Sequence, residues 1–381
     1  MLNLTKAQGR EHFPMLGTSA YLVSHSMGAA PHGAKDALEA YWNDWATDGP
    51  EAWQHWLPAI ANVADGIGEI VGAPAGCTFL GPNVSALQAA LASCLQFTPQ
   101  RNEIVYEALQ FPSLTYIWTE WQRFGAQPRI VPSHDGRTVE TQAIIDAITE
   151  RTVIAVLSHA YYVSGALCDI EAVQKHCRTT GTLLCVDAYQ TTGTYPFDVT
   201  AMELDIVTGG SHKWLCGGPG CGWIYVRPAL REQFEPAVTG WMAHARPFAF
   251  EPAPMTWSPD MYRWGTGTPT IPGYLVAKPG HDLIKRTGVR AIRDHNVRLT
   301  TRIAQEALDR GLTVNTPLQP EKRTGWIGVD FANSDRVYHG LIEQRVFVDY
   351  RPGCGIRVSP HFYTEDQEID TFFKVLDELR R

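Results

Sequence analysis

The sequence predicts an α/β protein with a large domain on a mainly parallel sheet and a smaller α+β domain after it. Three observations carry this. Short apolar runs alternate with helical patterns through the middle of the 381-residue chain. Several of those runs are apolar throughout, as strands covered on both faces are. Beyond about residue 281 the order changes to helix, strands and a final helix.

The elements follow in order. Strands are expected at 103–107 (EIVYE), 128–132 (PRIVP), 153–159 (VIAVLSH), 182–188 (TLLCVDA), 205–210 (DIVTGG) and 222–228 (GWIYVRP). Between them, VETQAIIDAITE and IEAVQKHCRTTG read as helices, the second with a glycine at its C-cap. Right-handed crossovers join such strands. The tail reads as a helix near 287–311, strands in WIGVDFA and VFVDYRPGCGIRVSP, and a last helix from Thr364. Thr364 and Gln367 have capping-box spacing. Ile369, Phe372, Phe373, Leu376 and Leu379 then form one apolar stripe, which is core packing. The large domain is placed at 20–280 and the small one at 281–381, with residues 1–19 joining the small domain or crossing to a partner.

Composition narrows the function. The chain is 44% hydrophobic, so it can bury sizeable cores, and its net charge is −8. That balance offers no basic face for nucleic acid. Eight scattered cysteines make no disulfide framework or paired metal ligands, which points to a reducing cytoplasm. The first residues lack a signal peptide's apolar core, and no apolar stretch is long enough for a membrane span.

Chemistry concentrates at the strand ends. Asp187 follows four apolar residues in LLCVDAYQTTG, and Lys213 follows the next strand in DIVTGGSHK. Both should stand on the carboxyl rim of the sheet, where ligands of open α/β sheets bind. A turn aspartate and a surface lysine are the structural alternatives. A lysine and a carboxylate on one rim suit pyridoxal phosphate. The amine forms a Schiff base with the aldehyde, and the carboxylate keeps a proton on the pyridine nitrogen. GPNVSALQAALASCL reads as a turn entering a helix, whose free amides suit a phosphate or simply an Asn83 cap. Phe111 could stack on a ring or belong to the core. Arg357, alone in an apolar strand, could grip a carboxylate or hold a structural ion pair. His212, Cys216 and Cys221 lack the spacing of a zinc site, so no metal is expected. GGPGCG lacks the GK[ST] of a phosphate loop and reads as a tight turn.

Together these residues resemble the class V aminotransferase branch of the fold-type I pyridoxal-phosphate enzymes. The block VDAYQTTGTYPFDVTAMELDIVTGGSHKWLCGGPGCGWIYVRP carries aspartate, glutamine and lysine in the family's order and spacing. Lys213 then resembles the lysine that carries the cofactor. Within the branch, YLVSHSMG, FPSL, GWMAHARPFAF, WGTGTPTI and DYRPGCGIRVSPHFYT resemble segments of kynureninase. The resemblance implies cofactor contacts from Asn83, Val84, Phe111, Ser158, Asp187, Gln190, His212 and Trp241. It also implies that Thr268 reaches the phosphate of a partner subunit. Arg357 would bind the substrate carboxylate, with His25 nearby. A homodimer with shared sites is implied, and Trp42, Trp45, Trp53 and Trp56 are candidates for its interface or for a substrate entrance.

The departures concern the substrate pocket. Kynureninases usually have histidine at Gln190, tyrosine at His212 and asparagine at Tyr161, and often aspartate at Leu114. Gln190 and the SHK triplet look more like cysteine desulfurases and selenocysteine lyases. Those enzymes place a reactive cysteine on a loop ahead of the arginine. Cys354 lies three residues before Arg357 between two glycines, too close for a mobile loop. The resemblance therefore implies cleavage at the β-carbon of an L-amino acid, through an external aldimine and a quinonoid. Alternatives are a desulfurase-like C–S lyase and an aminotransferase.

Overall fold

The computed structural model describes residues 9–381, and seven strands form its central sheet. These are β1 (Thr78–Gly81), β2 (Glu103–Glu107), β3 (Gln127–Val131), β4 (Thr152–Ser158), β5 (Leu183–Asp187), β6 (Ile206–Gly210) and β7 (Gly222–Val226). Their order across the sheet is β1-β7-β6-β5-β4-β2-β3. β7 is antiparallel to both its neighbours, and all other pairs are parallel.

Burial explains the apolar runs. All seven residues of β4 are buried, as are all five of β2, β6 and β7. β3 is the exception: it is an edge strand, and Gln127, Arg129 and Ile130 are exposed. A charged residue on an edge discourages pairing with other chains. The crossover helix Ile170–Thr180 is capped by Asp169, whose side chain accepts from Ala172 N, and it ends at Gly181 with φ 67°. That left-handed turn is where a glycine is needed.

Four features differ from the sequence reading. β1 was not anticipated, because four residues ending in glycine give no alternation to read. Helices His32–Asp48 and Trp53–Val71 precede the sheet, where the sequence reading had noted only clustered tryptophans. The helix expected near 287–311 is Val289–Asp309, but another helix that was not expected, Ile271–Thr287, runs into it and ends at Gly288 with φ 83°. The capping box of the last helix, Asp366–Leu379, is formed by Glu365 and Glu368, one residue beyond the pair read from sequence. Glu368 also pairs with Arg10 and accepts from Tyr21 N, which fixes the frame of that helix.

The C-terminal part holds a four-stranded antiparallel sheet: β8 (Thr313–Val314), β9 (Ile327–Asp330), β10 (Asp349–Arg351) and β11 (Gly355–Val358), in the order β10-β11-β9-β8. Its core gathers Leu299, Val329, Ile356, Phe372 and Leu376. Each such side chain contributes about 1.5–3 kcal/mol on burial. Ala20–Tyr21 pairs in parallel with Val346–Phe347, so the chain's beginning is stitched to its end. Residues 1–8 of the expected N-terminal extension lie outside the described residues. Among the described residues, no helix is long and apolar enough to cross a membrane.

Candidate active site

The parallel strands β2, β4, β5 and β6 deliver Glu107, Ser158, Asp187 and Gly210 to one rim, with Ser158 directly beside Asp187. A cavity of about 210 Å³ opens there, and both Asp187 and Lys213 line it. Asp187 is 6% exposed, and its Oδ1 accepts from Tyr189 N at 2.9 Å. Burial raises its pKa, and the Lys213 charge partly offsets this. Lys213 follows β6 by three residues. Its ammonium stands 4.9 Å from the Tyr189 ring centre and 5.5 Å from that of Phe111. Burial draws its pKa from 10.5 down to about 8, so about a tenth of the amine is uncharged at pH 7, far more than for an ordinary lysine.

The opposite wall is a helix N-terminus. Asn83 caps helix Val84–Ser93, its side chain accepting from Ala86 N at 2.9 Å. Val84 and Ser85, also on the cavity, carry amides that no helical carbonyl can take. Those amides and the helix dipole favour an anion. Gly222 permits the arrangement, since a Cβ there would stand 2.8 Å from the Asn83 carbonyl carbon. His212 completes this side. Burial first, and the Lys213 charge second, lower its pKa to about 4, leaving a neutral imidazole.

Phe111 is 39% exposed, with its ring open to the cavity. Its backbone N–H donates to Gln110 Oε1 at 3.0 Å, which also accepts from Ser158 Oγ at 2.8 Å. Glu107 accepts from Ser158 N at 2.7 Å. The ring's mount is thus tied to two strand ends. Gln190 donates from Nε2 to His25 O at 3.3 Å, while its Oε1 is buried with no protein partner.

Asn83, Val84, Phe111, Ser158, Asp187, Gln190, His212 and Lys213 are therefore brought together. Four candidates lie elsewhere. Arg357 and His25 sit behind the wall, Arg357 donating to the carbonyl of Tyr162 at 2.8 Å. Trp241 packs against Trp53 and Phe248. Thr268 lines a separate pocket of about 80 Å³ with Gly81 and Pro82. Sequence reasoning missed Tyr162 and Tyr189, which line the cavity, and had marked Tyr161 instead. Tyr161 is 1% exposed in the core. Ser158, Ala160 and Tyr162 share the cavity side while His159 and Tyr161 face away, so the two-residue alternation of an extended chain was the usable signal. Among the described residues, no three histidine, cysteine or acidic side chains gather as a metal site.

Comparison with known proteins gives the family. The sequence matches the aminotransferase class-V profile over residues 20–372. The chain belongs to the aminotransferase class-V family. Its relatives include an uncharacterised aminotransferase of Bacillus subtilis, 27% identical over 362 residues and covering 95% of both chains. A kynureninase of Burkholderia pseudomallei is 26% identical over 362 residues, 90% of this chain and 84% of that one. Among solved structures, a cysteine desulfurase from Thermococcus onnurineus superposes with a TM-score of 0.85 at 20% identity, covering 97% of this chain and 96% of that one. That likeness establishes the fold, which is fold-type I.

Pyridoxal 5'-phosphate is the cofactor of this class-V enzyme. The cavity fits it. A partly uncharged lysine amine, a buried carboxylate and a helix N-terminus are each what one edge of that molecule needs. The amine's pKa gives an expected result. Covalent capture of pyridoxal phosphate by the apoprotein should quicken about tenfold per pH unit up to about 8 and level off above it. The sign follows because only the uncharged amine attacks. A rise continuing past pH 9 in stopped-flow absorbance would mean that the lysine titrates near its ordinary value.

Proposed function

We propose that this class-V enzyme cleaves a bond at the β-carbon of an L-amino acid, as a kynureninase-like hydrolase or lyase. The observation that carries the reading is the aromatic wall of the cavity. Phe111 and Tyr162 meet edge to face at 5.3 Å, and Tyr189 lies beside Lys213, so the aromatic faces that border the cavity suit an aryl-bearing side chain. Relatives that are kynureninases, matched over 84% of their length, support it.

When bound, pyridoxal phosphate supplies an electron sink beside the substrate's α-carbon. The protein does the rest. Amides of Val84 and Ser85 would hold the phosphate, Phe111 would flank the ring, and Asp187 would keep a proton on the pyridine nitrogen. The remaining Nε2 hydrogen of Gln190 would donate to the phenolic oxygen. Lys213 Nζ, with a pKa of about 8, accepts the Cα proton and can return it to a neighbouring carbon. Arg357 anchors the substrate carboxylate. The working form in this reading is a homodimer with shared sites. Leu38, Trp42 and Trp45 lie 49–61% exposed on helix His32–Asp48, which buries none of its own residues. Trp241 and Thr268, which lie outside their own chain's cavity, are then free to serve the partner's.

A C–S lyase is the second reading, favoured by Gln190 and His212 on the cavity wall. The form that passes sulfur to a protein thiol is disfavoured here. Cys354 is 3% exposed in the turn between β10 and β11, and burial raises its thiol pKa, so it is a poor nucleophile. The deciding test supplies L-kynurenine to the cofactor-loaded protein. Anthranilate fluorescence and alanine appearing in equal amounts are expected. No product from kynurenine, with pyruvate or sulfide released from cysteine or cystine, would overturn the reading.

A further inference from the structure

Arg357 does not stand free to receive a substrate. It is 4% exposed and lies directly across the β10–β11 pairing from Asp349, whose carboxylate accepts from its Nη2. Nη1 is committed to the carbonyl of Tyr162 at 2.8 Å. Nε is buried without any partner. Asp349 therefore fills half of the Nε–Nη2 edge, the edge on which a carboxylate makes two parallel bonds. A substrate carboxylate that took the whole edge would gain the bond that Asp349 leaves unmade.

Asp349 has other groups to turn to. Arg351 Nη2 is 3.7 Å from its Oδ2, and His25 Nε2, itself buried without a hydrogen-bond partner, is 3.6 Å away. His25 is held in place by Ser359, whose Oγ is 2.7 Å from Nδ1. A modest side-chain rotation would exchange one neighbour for another without moving the backbone.

We propose that Asp349 is a displaceable counter-ion for Arg357: a substrate's α-carboxylate must replace it to bind, and its return expels the amino-acid product. This rests on the reading of Arg357 as the carboxylate anchor. Two consequences follow. The resting protein avoids an unpaired buried arginine, which is costly. The substrate's carboxylate meets a like charge already in place, so affinity for the carboxylate is held down and release is eased.

The experiment is equilibrium titration of cofactor-loaded protein with L-alanine, which has no β-leaving group, and with L-alaninamide, which has no carboxylate. Changes in the cofactor's absorbance report both. For Asp349→Asn, the dissociation constant for alanine should fall by about tenfold or more while that for alaninamide stays as it was, because a like charge has been removed from the carboxylate's place. An alanine constant that is unchanged or higher, or an equal gain for alaninamide, overturns the proposal. Asp349→Ser serves if the asparagine variant does not fold. Arg357→Lys tests the underlying reading separately. If it leaves alanine binding unchanged, Arg357 is not the anchor, whatever the Asp349 variants do.

Discussion

Lys213→Ala is expected to lower turnover of the enzyme's own amino-acid substrate by about 10⁴-fold or more, since it removes both the covalent attachment and the base. The fold should survive. Burial lowers the pKa of Lys213, which shows that the charged amine is held at a cost, so alanine should not reduce the melting temperature of the apoprotein. The discriminating readout is rescue. Added methylamine should restore part of the turnover in the alanine variant, because it can occupy the vacated space and take the proton. Loss of activity together with loss of folded structure would instead assign Lys213 a structural role.

Asp187→Asn is expected to cost about 10²–10³-fold in turnover, the range for removing one preorganised electrostatic partner from a buried reaction centre. Asparagine fills the same space and can still accept from Tyr189 N, so the local turn should hold. What it lacks is a charge to keep a proton on a pyridine nitrogen. Stability should move the other way. Burial raises the Asp187 pKa above its unfolded value, so the apoprotein carries a penalty for the ionised form that is present above the folded pKa and fades as pH falls through it. The asparagine apoprotein should therefore melt no lower than the parent at pH 7. Asp187→Glu retains the charge and should recover part of the turnover that Asp187→Asn loses.

The residues on the cavity were legible in the sequence to the degree that they close apolar runs. Asp187 ends β5 and Lys213 follows β6, so hydrophobic patterning alone put them on one rim, while Ser158, which ends β4, came from the family resemblance. Tyr162 was equally within reach, since it shares parity with Ser158, but family analogy drew attention to Tyr161. The short β1 was hidden because Thr78–Gly81 has neither length nor alternation, and its place depends on pairing with β7, far along the chain. The surroundings of Arg357 were not legible at all. Its partners are Tyr162, 195 residues earlier in the chain, and Asp349, across a hairpin. The sequence reading left an ion pair and a carboxylate grip as alternatives. The geometry joins them, because the ion pair occupies the edge that a grip would use.

Peptide mapping after borohydride reduction of the cofactor-loaded protein tests most directly whether this cavity is the reaction centre. Reduction fixes the cofactor to whichever amine holds it, and the chain has eight lysines to choose from. The expected result is one pyridoxyl group per chain, on the peptide carrying Lys213 and on no other. An adduct on a different lysine, with Lys213 unmodified, would contradict the assignment of the cavity and of every role built around it.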